Sequence, residues 1–136
     1  MCLTGFTDYA LRLMMMVASA GEQLVTLDQA AKRHHISKAH LMKVANELTS
    51  CGLLTAVRGR FGGLKLAKPA TQIFLADIVR RTEPNFAYFE CFQSGSECIL
   101  VGNCKLPRVL KEADAGFFAV LEKHTLADVM ATTALV

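Results

Sequence analysis

Apolar positions along this chain change their period several times, and each change marks an element. From 7 to 20 they crowd every face of a helical repeat. Tyr9, Leu11, Leu13 and the run Met14 to Val17 leave Asp8 and Arg12 as the only charges, so a largely buried helix is expected there, stopped by Gly21. Thr26-Leu27-Asp28-Gln29 fits a capping box, in which the Thr26 hydroxyl and the Gln29 side chain satisfy each other's orphan amides. That predicts a short helix reaching about His34. Ser37 is a second N-cap, with Ile36 and Leu41 spaced for a hydrophobic staple. Leu41, Val44, Ala45 and Leu48 then repeat at i, i+3, i+4 and i+7, and Cys51-Gly52 ends the run.

In LLTAVRGRFGGLKLAKP the period shortens to two. Leu54 and Ala56 alternate against Leu64 and Leu66 around RGRFGG, which predicts a β-hairpin. Another short helix is expected over 71–82, with Ile73, Ile78 and Val79 apolar, ending before Glu83-Pro84. After a loop, Pro107 suits the first turn of a long helix. Leu106, Val109, Leu110, Ala113, Phe117, Val120 and Leu121 form its apolar stripe.

Two short helices about a tight connection, followed by a hairpin, make a winged helix-turn-helix. The fold class expected is mainly α with a small β-hairpin. Residues 1–82 form the winged helix-turn-helix, 83–105 a cysteine-rich loop, and 106–136 a dimerisation helix with the C-terminal end. A domain this small has little surface of its own to cover the long stripe, so a homodimer is expected. Its two-fold symmetry suits palindromic operator DNA.

Charge sharpens the picture. Residues 1–82 hold eleven Lys/Arg against five Asp/Glu, a balance of +6, whereas 83–136 hold four against seven, a balance of −3. The front half is built for a polyanion, and the back half is not. Ser37, Lys38, His40 and Lys43 stand at the start of the second helix of the pair, the end that enters a major groove. Arg58 and Arg60 on the wing suit phosphates or a narrow minor groove. No apolar run approaches a membrane span, so a cytoplasmic protein is expected.

The acidic half carries Cys91, Cys98 and Cys104 within fifteen residues, among Ser94, Gly95, Ser96, Gly102 and Asn103. A Gly/Ser loop is a poor place for buried structural cysteines. Disulfides conflict with a reducing compartment, and an odd total of five cysteines weakens a disulfide framework further. Zinc favours tighter cysteine pairs than this spacing of six and five intervening residues. An iron–sulfur cluster tolerates wider gaps. Spacing leaves these alternatives open. Neither the cysteines nor His34, His35, His40 and His124 lie in a recognisable catalytic signature, so no enzyme is expected.

The chain resembles the iron–sulfur winged-helix repressors, the family that includes NsrR, IscR and RirA. LTGFTDYALR resembles the family's N-terminal helix and LTAVRGRFGGLKLAKPA its wing. ECF with the two later cysteines and the long helix resemble its cluster loop and dimer helix, and HTLADV its C-terminal end. The nitric-oxide-sensing NsrR branch matches best. Asp8, in FTDY, matches an aspartate that the resemblance implies as a fourth ligand reaching from the other subunit, where RirA-type chains tend to carry Asn. Cys104-Lys105-Leu106-Pro107 lacks the ligand His that IscR-type chains place soon after the third cysteine. Cys2 departs from the polar residue usual there and is a rival ligand. The resemblance implies a 2Fe–2S or 4Fe–4S cluster on Cys91, Cys98, Cys104 and Asp8. It further implies a repressor that leaves its double-stranded operator when nitric oxide attacks the cluster. The alternatives are a repressor responding to iron or cluster supply and a regulator with structural zinc.

Overall fold

A computed structural model describes residues 3–83 and 89–130; Cys2 and Pro84 lie outside these. Helix α1 (Gly5–Ser19) runs through the centre, with Thr7, Ala10, Leu13, Met14, Met16, Val17 and Ala18 all buried. Its burial on several sides is what its sequence asked for. Helix α2 (Leu27–His34) begins on the expected capping box: the Gln29 amide donates to Thr26 Oγ1 at 3.1 Å, and the Thr26 amide to Gln29 Oε1 at 2.9 Å. His35 closes α2 in the left-handed region at φ +54°, a conformation that few side chains adopt readily. That bend lets Ile36 turn inward and Ser37 start helix α3 (Lys38–Ser50) at once. Leu41, Val44, Ala45 and Leu48 are buried, and Gly52, at φ +79°, reverses the chain beyond α3.

Strands β1 (Leu54–Val57) and β2 (Gly63–Leu66) pair antiparallel, Leu54 opposite Leu66 and Val57 opposite Gly63. Val25 adds an isolated bridge to Leu64, with both backbone hydrogen bonds formed at 3.0 and 2.7 Å. Leu54 and Leu64 face the core that α1, α2 and α3 share.

The helix expected over 71–82 is shorter. A 3-10 turn at Ala70–Gln72 precedes α4 (Leu75–Thr82). Residues 73 and 74 are extended because they pair elsewhere. The Leu126 amide donates to the Ile73 carbonyl at 2.7 Å, the Leu75 amide donates to the His124 carbonyl at 3.0 Å, and Phe74 bridges Thr125. Leu126, fully buried in the 3-10 turn Leu126–Val129, thereby joins the same core as α1.

Helix α5 (Leu106–Leu121) carries Pro107 in its first turn as expected. Its stripe is hardly used within the chain. Phe118, outside the anticipated stripe, is the buried residue of α5, packed with Ala76 and Val79 of α4, while Phe117 and Leu121 lean against them. Leu106, Val109 and Val120 remain more than half exposed.

Helix α4 is where these parts are fastened. Arg80 pairs with Glu122 and lies 4.6 Å over the Phe118 ring, and Arg81 pairs with Glu47 of α3. Just past the helix, the buried Glu83 accepts from the Thr4 amide (2.9 Å), the Thr4 hydroxyl (3.0 Å) and the Thr7 hydroxyl (2.8 Å), all on Oε2. Burial pushes this carboxyl up. The Thr4 amide and the two hydroxyls outweigh it and hold the carboxyl below the usual glutamate range. A carboxylate with a depressed value stabilises the fold above its unfolded pKa, about 4.3, and that contribution disappears as pH falls through the folded value. Glu83→Gln is expected to cost about 2 kcal/mol in urea unfolding at neutral pH. It is also expected to flatten the loss of stability seen in the wild type below about pH 5.

Candidate functional site

Two surfaces carry most of the residues singled out above. The first is the start of α3. Ser37 accepts from the His40 amide at 3.3 Å and is exposed, as are Lys38, His40 and Lys43. Ser37, His40 and Lys43 follow one another at spacings of three and so are neighbours along α3, with Lys38 off that line, while Leu41 and Val44 turn into the core. Two of the four are steadied from outside the helix. Lys38 Nζ lies 2.9 Å from Asp28 Oδ1, and the His40 ring stacks on Tyr9 with centroids 6.3 Å apart. Neither partner was evident from the sequence, because each sits on a different helix. Met42, on the same helix, is 46% exposed.

The wing follows α3 directly in the chain. Its tip is a four-residue turn closed by the Gly62 amide donating to the Gly59 carbonyl at 3.0 Å, with Arg60 and Phe61 at the apex and Arg58 just before it. A Cβ at Gly62 would lie 2.1 Å from the Val57 carbonyl oxygen. Only glycine permits the tip to fold back so closely on β1.

The second surface is the cysteine segment. Cys91, Cys98 and Cys104 are free thiols, each half-buried. All three line one hollow of about 280 Å³, whose other walls include Phe89, Leu100, Val101 and Leu106. Short-range turns hold it: the 3-10 turn Glu90–Phe92, the Glu97 amide donating to Glu90 Oε1 at 3.0 Å, and the Cys104 amide donating to the Leu100 carbonyl at 3.1 Å. No described residue from Phe89 to Phe117 is buried. No three His, Cys, Asp or Glu side chains among the described residues are close enough together to hold a single ion. Asp8 is exposed on α1, does not line the hollow, and is held by Arg12, with Nη2 2.8 Å from Oδ2 and Nε 3.1 Å from Oδ1. Cys2, the rival ligand, lies outside the described residues.

The structure thus combines a winged helix with an exposed basic edge and a separate thiol hollow. The family model described as "Rrf2: Iron-dependent Transcriptional regulator" matches residues 3–132. The chain belongs to the Rrf2 family. This Rrf2 protein is 41% identical to protein aau3 of Rhizobium meliloti (strain 1021), over 96% of this chain and 85% of the relative. It is 40% identical to the HTH-type transcriptional regulator NsrR of Oceanobacillus iheyensis, over 96% of this chain and 90% of the relative. The solved structure of T. potens IscR is 25% identical and superposes with a TM-score of 0.74, covering 98% of this chain and 94% of that one. The protein is therefore a DNA-binding transcriptional regulator of the Rrf2 family, similar along nearly its whole length to NsrR. Among the described residues no helix is long and apolar enough to cross a membrane.

Gly62→Ala is expected to weaken binding to duplex DNA about tenfold, because the tip must move to clear the Val57 carbonyl. The thermal midpoint should stay within about 3 °C of wild type, since the wing tip lies outside the core. Fluorescence anisotropy beside a melting curve checks both.

Proposed function

We propose that this Rrf2 regulator is a homodimeric repressor that carries an iron–sulfur cluster and leaves its operator on exposure to nitric oxide. The observation that carries this reading is the meeting of three free thiols on one hollow with an apolar wall, at the foot of α5. The donor set fits the group. Thiolates are the soft ligands that iron–sulfur clusters take, and an apolar shell tunes them by keeping water away. Cys91, Cys98 and Cys104 would hold the cluster, with Asp8 of the partner subunit in the fourth place that the resemblance gives it. When bound, the cluster supplies an iron with a weak oxygen ligand, the kind of site that nitric oxide attacks.

The chain's own residues turn that event into a change of DNA affinity. Arg12 positions the Asp8 carboxylate on the first turns of α1, and α1 packs against α3 and α4. Glu83 ties the start of α1 to the stretch that enters the cysteine segment. A link between that segment and the second copy's α1 therefore sets the separation of the two α3 helices. The exposed Leu106, Val109 and Val120 of α5 are the surface on which the second copy would sit. Ser37, Lys38, His40 and Lys43 would read the major groove, Lys38 exchanging Asp28 for phosphate, while Arg58 and Arg60 follow the wing. The operator would be palindromic, the protein cytoplasmic, and no catalytic step is involved. Coupling of about 1.4 kcal/mol changes operator affinity tenfold, so a modest shift in spacing suffices.

A second reading, response to iron or cluster supply, is favoured by the family's description as iron-dependent and by the likeness to IscR. Protein purified without air should be brown and contain iron and sulfide. Cys98→Ala should be colourless. Nitric oxide should release the wild type from its DNA, and iron withdrawal alone should not. Release on iron withdrawal only would establish the second reading. A colourless zinc protein that grips DNA regardless of nitric oxide would remove both.

A further inference from the structure

Phe61 is 87% exposed, the most exposed aromatic among the described residues. Single apolar side chains on a surface are ordinary, but three facts set this one apart. It occupies the apex of the wing turn, between Gly59 and Gly62. The tip is held tightly, for Gly62 lies against the Val57 carbonyl with no room for a Cβ. Its neighbours are Arg58 and Arg60, and the Arg60 guanidinium sits over the Phe61 ring, 5.6 Å from the centroid. An apolar ring is thus carried at the far end of a rigid support and flanked by cations that suit phosphate.

We propose that Phe61 is an apolar wedge that enters the DNA minor groove beside Arg60 and presses its ring against a base step, adding sequence preference to the wing. The minor groove is about 6 Å wide, so it admits the side chains of a turn apex and not the whole hairpin. Apolar wedges at such sites partly unstack a step, and the energy needed is smallest at pyrimidine–purine steps. Phe61 therefore selects duplexes with TA or CA/TG where the wing lies, outside the segment that α3 reads. This inference rests on the wing touching DNA, as proposed for Arg58 and Arg60.

The test uses full-length protein purified without air and a random pool of duplexes about 30 base pairs long, enough for two half-sites. The wild type should enrich a pyrimidine–purine step at a fixed distance beyond each half-site. Phe61→Ala should lose that preference and keep the rest of the motif. It should bind the wild type's best duplex about tenfold more weakly, with an unchanged slope of log affinity against log salt. Phe61→Leu should retain most of the preference, because a wedge needs bulk more than aromaticity. Arg60→Ala, as the control, should lower the salt slope by about one. If Phe61→Ala selects and binds as wild type while Arg60→Ala weakens binding, the wedge is wrong and the wing contact stands. If neither variant differs from wild type, the wing does not touch DNA and both readings fall.

Discussion

A single carboxylate oxygen, Oε2 of Glu83, receives three hydrogen bonds from the first helix and its cap across a sequence separation of more than seventy residues. That knot fixes where the chain leaves α4 relative to the start of α1. Buried charge is tolerated there because every bond to it comes from an amide or hydroxyl that itself needs a partner. The knot lies at the end of α4, whose Arg80 and Arg81 reach α5 and α3. These two ion pairs are roughly half exposed, so each contributes at most about 1 kcal/mol. Burial of Ala76, Ile78 and Val79 supplies the larger share of what holds α4 in place. The charged pairs specify direction, and the apolar face supplies adhesion.

The two halves of the molecule differ in how they are held. The reading unit has a continuous core from Ala10 to Leu64, closed by Leu126 from the far end of the chain. From Phe89 to Cys104 the cysteine segment has turns, half-buried thiols and the well-exposed Ile99, Leu100 and Val101, but no buried residue. Local stability follows buried apolar contact. By that measure the cysteine segment is held less firmly than the helical core. The segment stands in the chain between the Glu83 knot and α5.

Local instructions were legible in the sequence. The Thr26 capping box, the Ser37 cap, the stop at Gly52 and the alternation around RGRFGG each involve residues within a few positions of one another. Their physics is complete before any tertiary contact forms. The basic residues of α3 and the wing and the cysteine segment were visible for the same reason, as clusters in sequence. Other features were not. Phe117 and Phe118 are adjacent and equally apolar, and only the docking of α4 decides that Phe118 is the one buried. Ile73 and Phe74 fit a helical pattern, yet pairing with residues 125 and 126 holds them extended.

The sequence by itself therefore determined the elements, their caps, the sign of charge on each half and the thiols available for chemistry. Only the tertiary structure decided that those thiols share one hollow, that Asp28 holds Lys38, and that Glu83 binds the start of α1. Such contacts join groups far apart in the chain. Their partners are chosen by packing geometry, on which neither periodicity nor propensity bears.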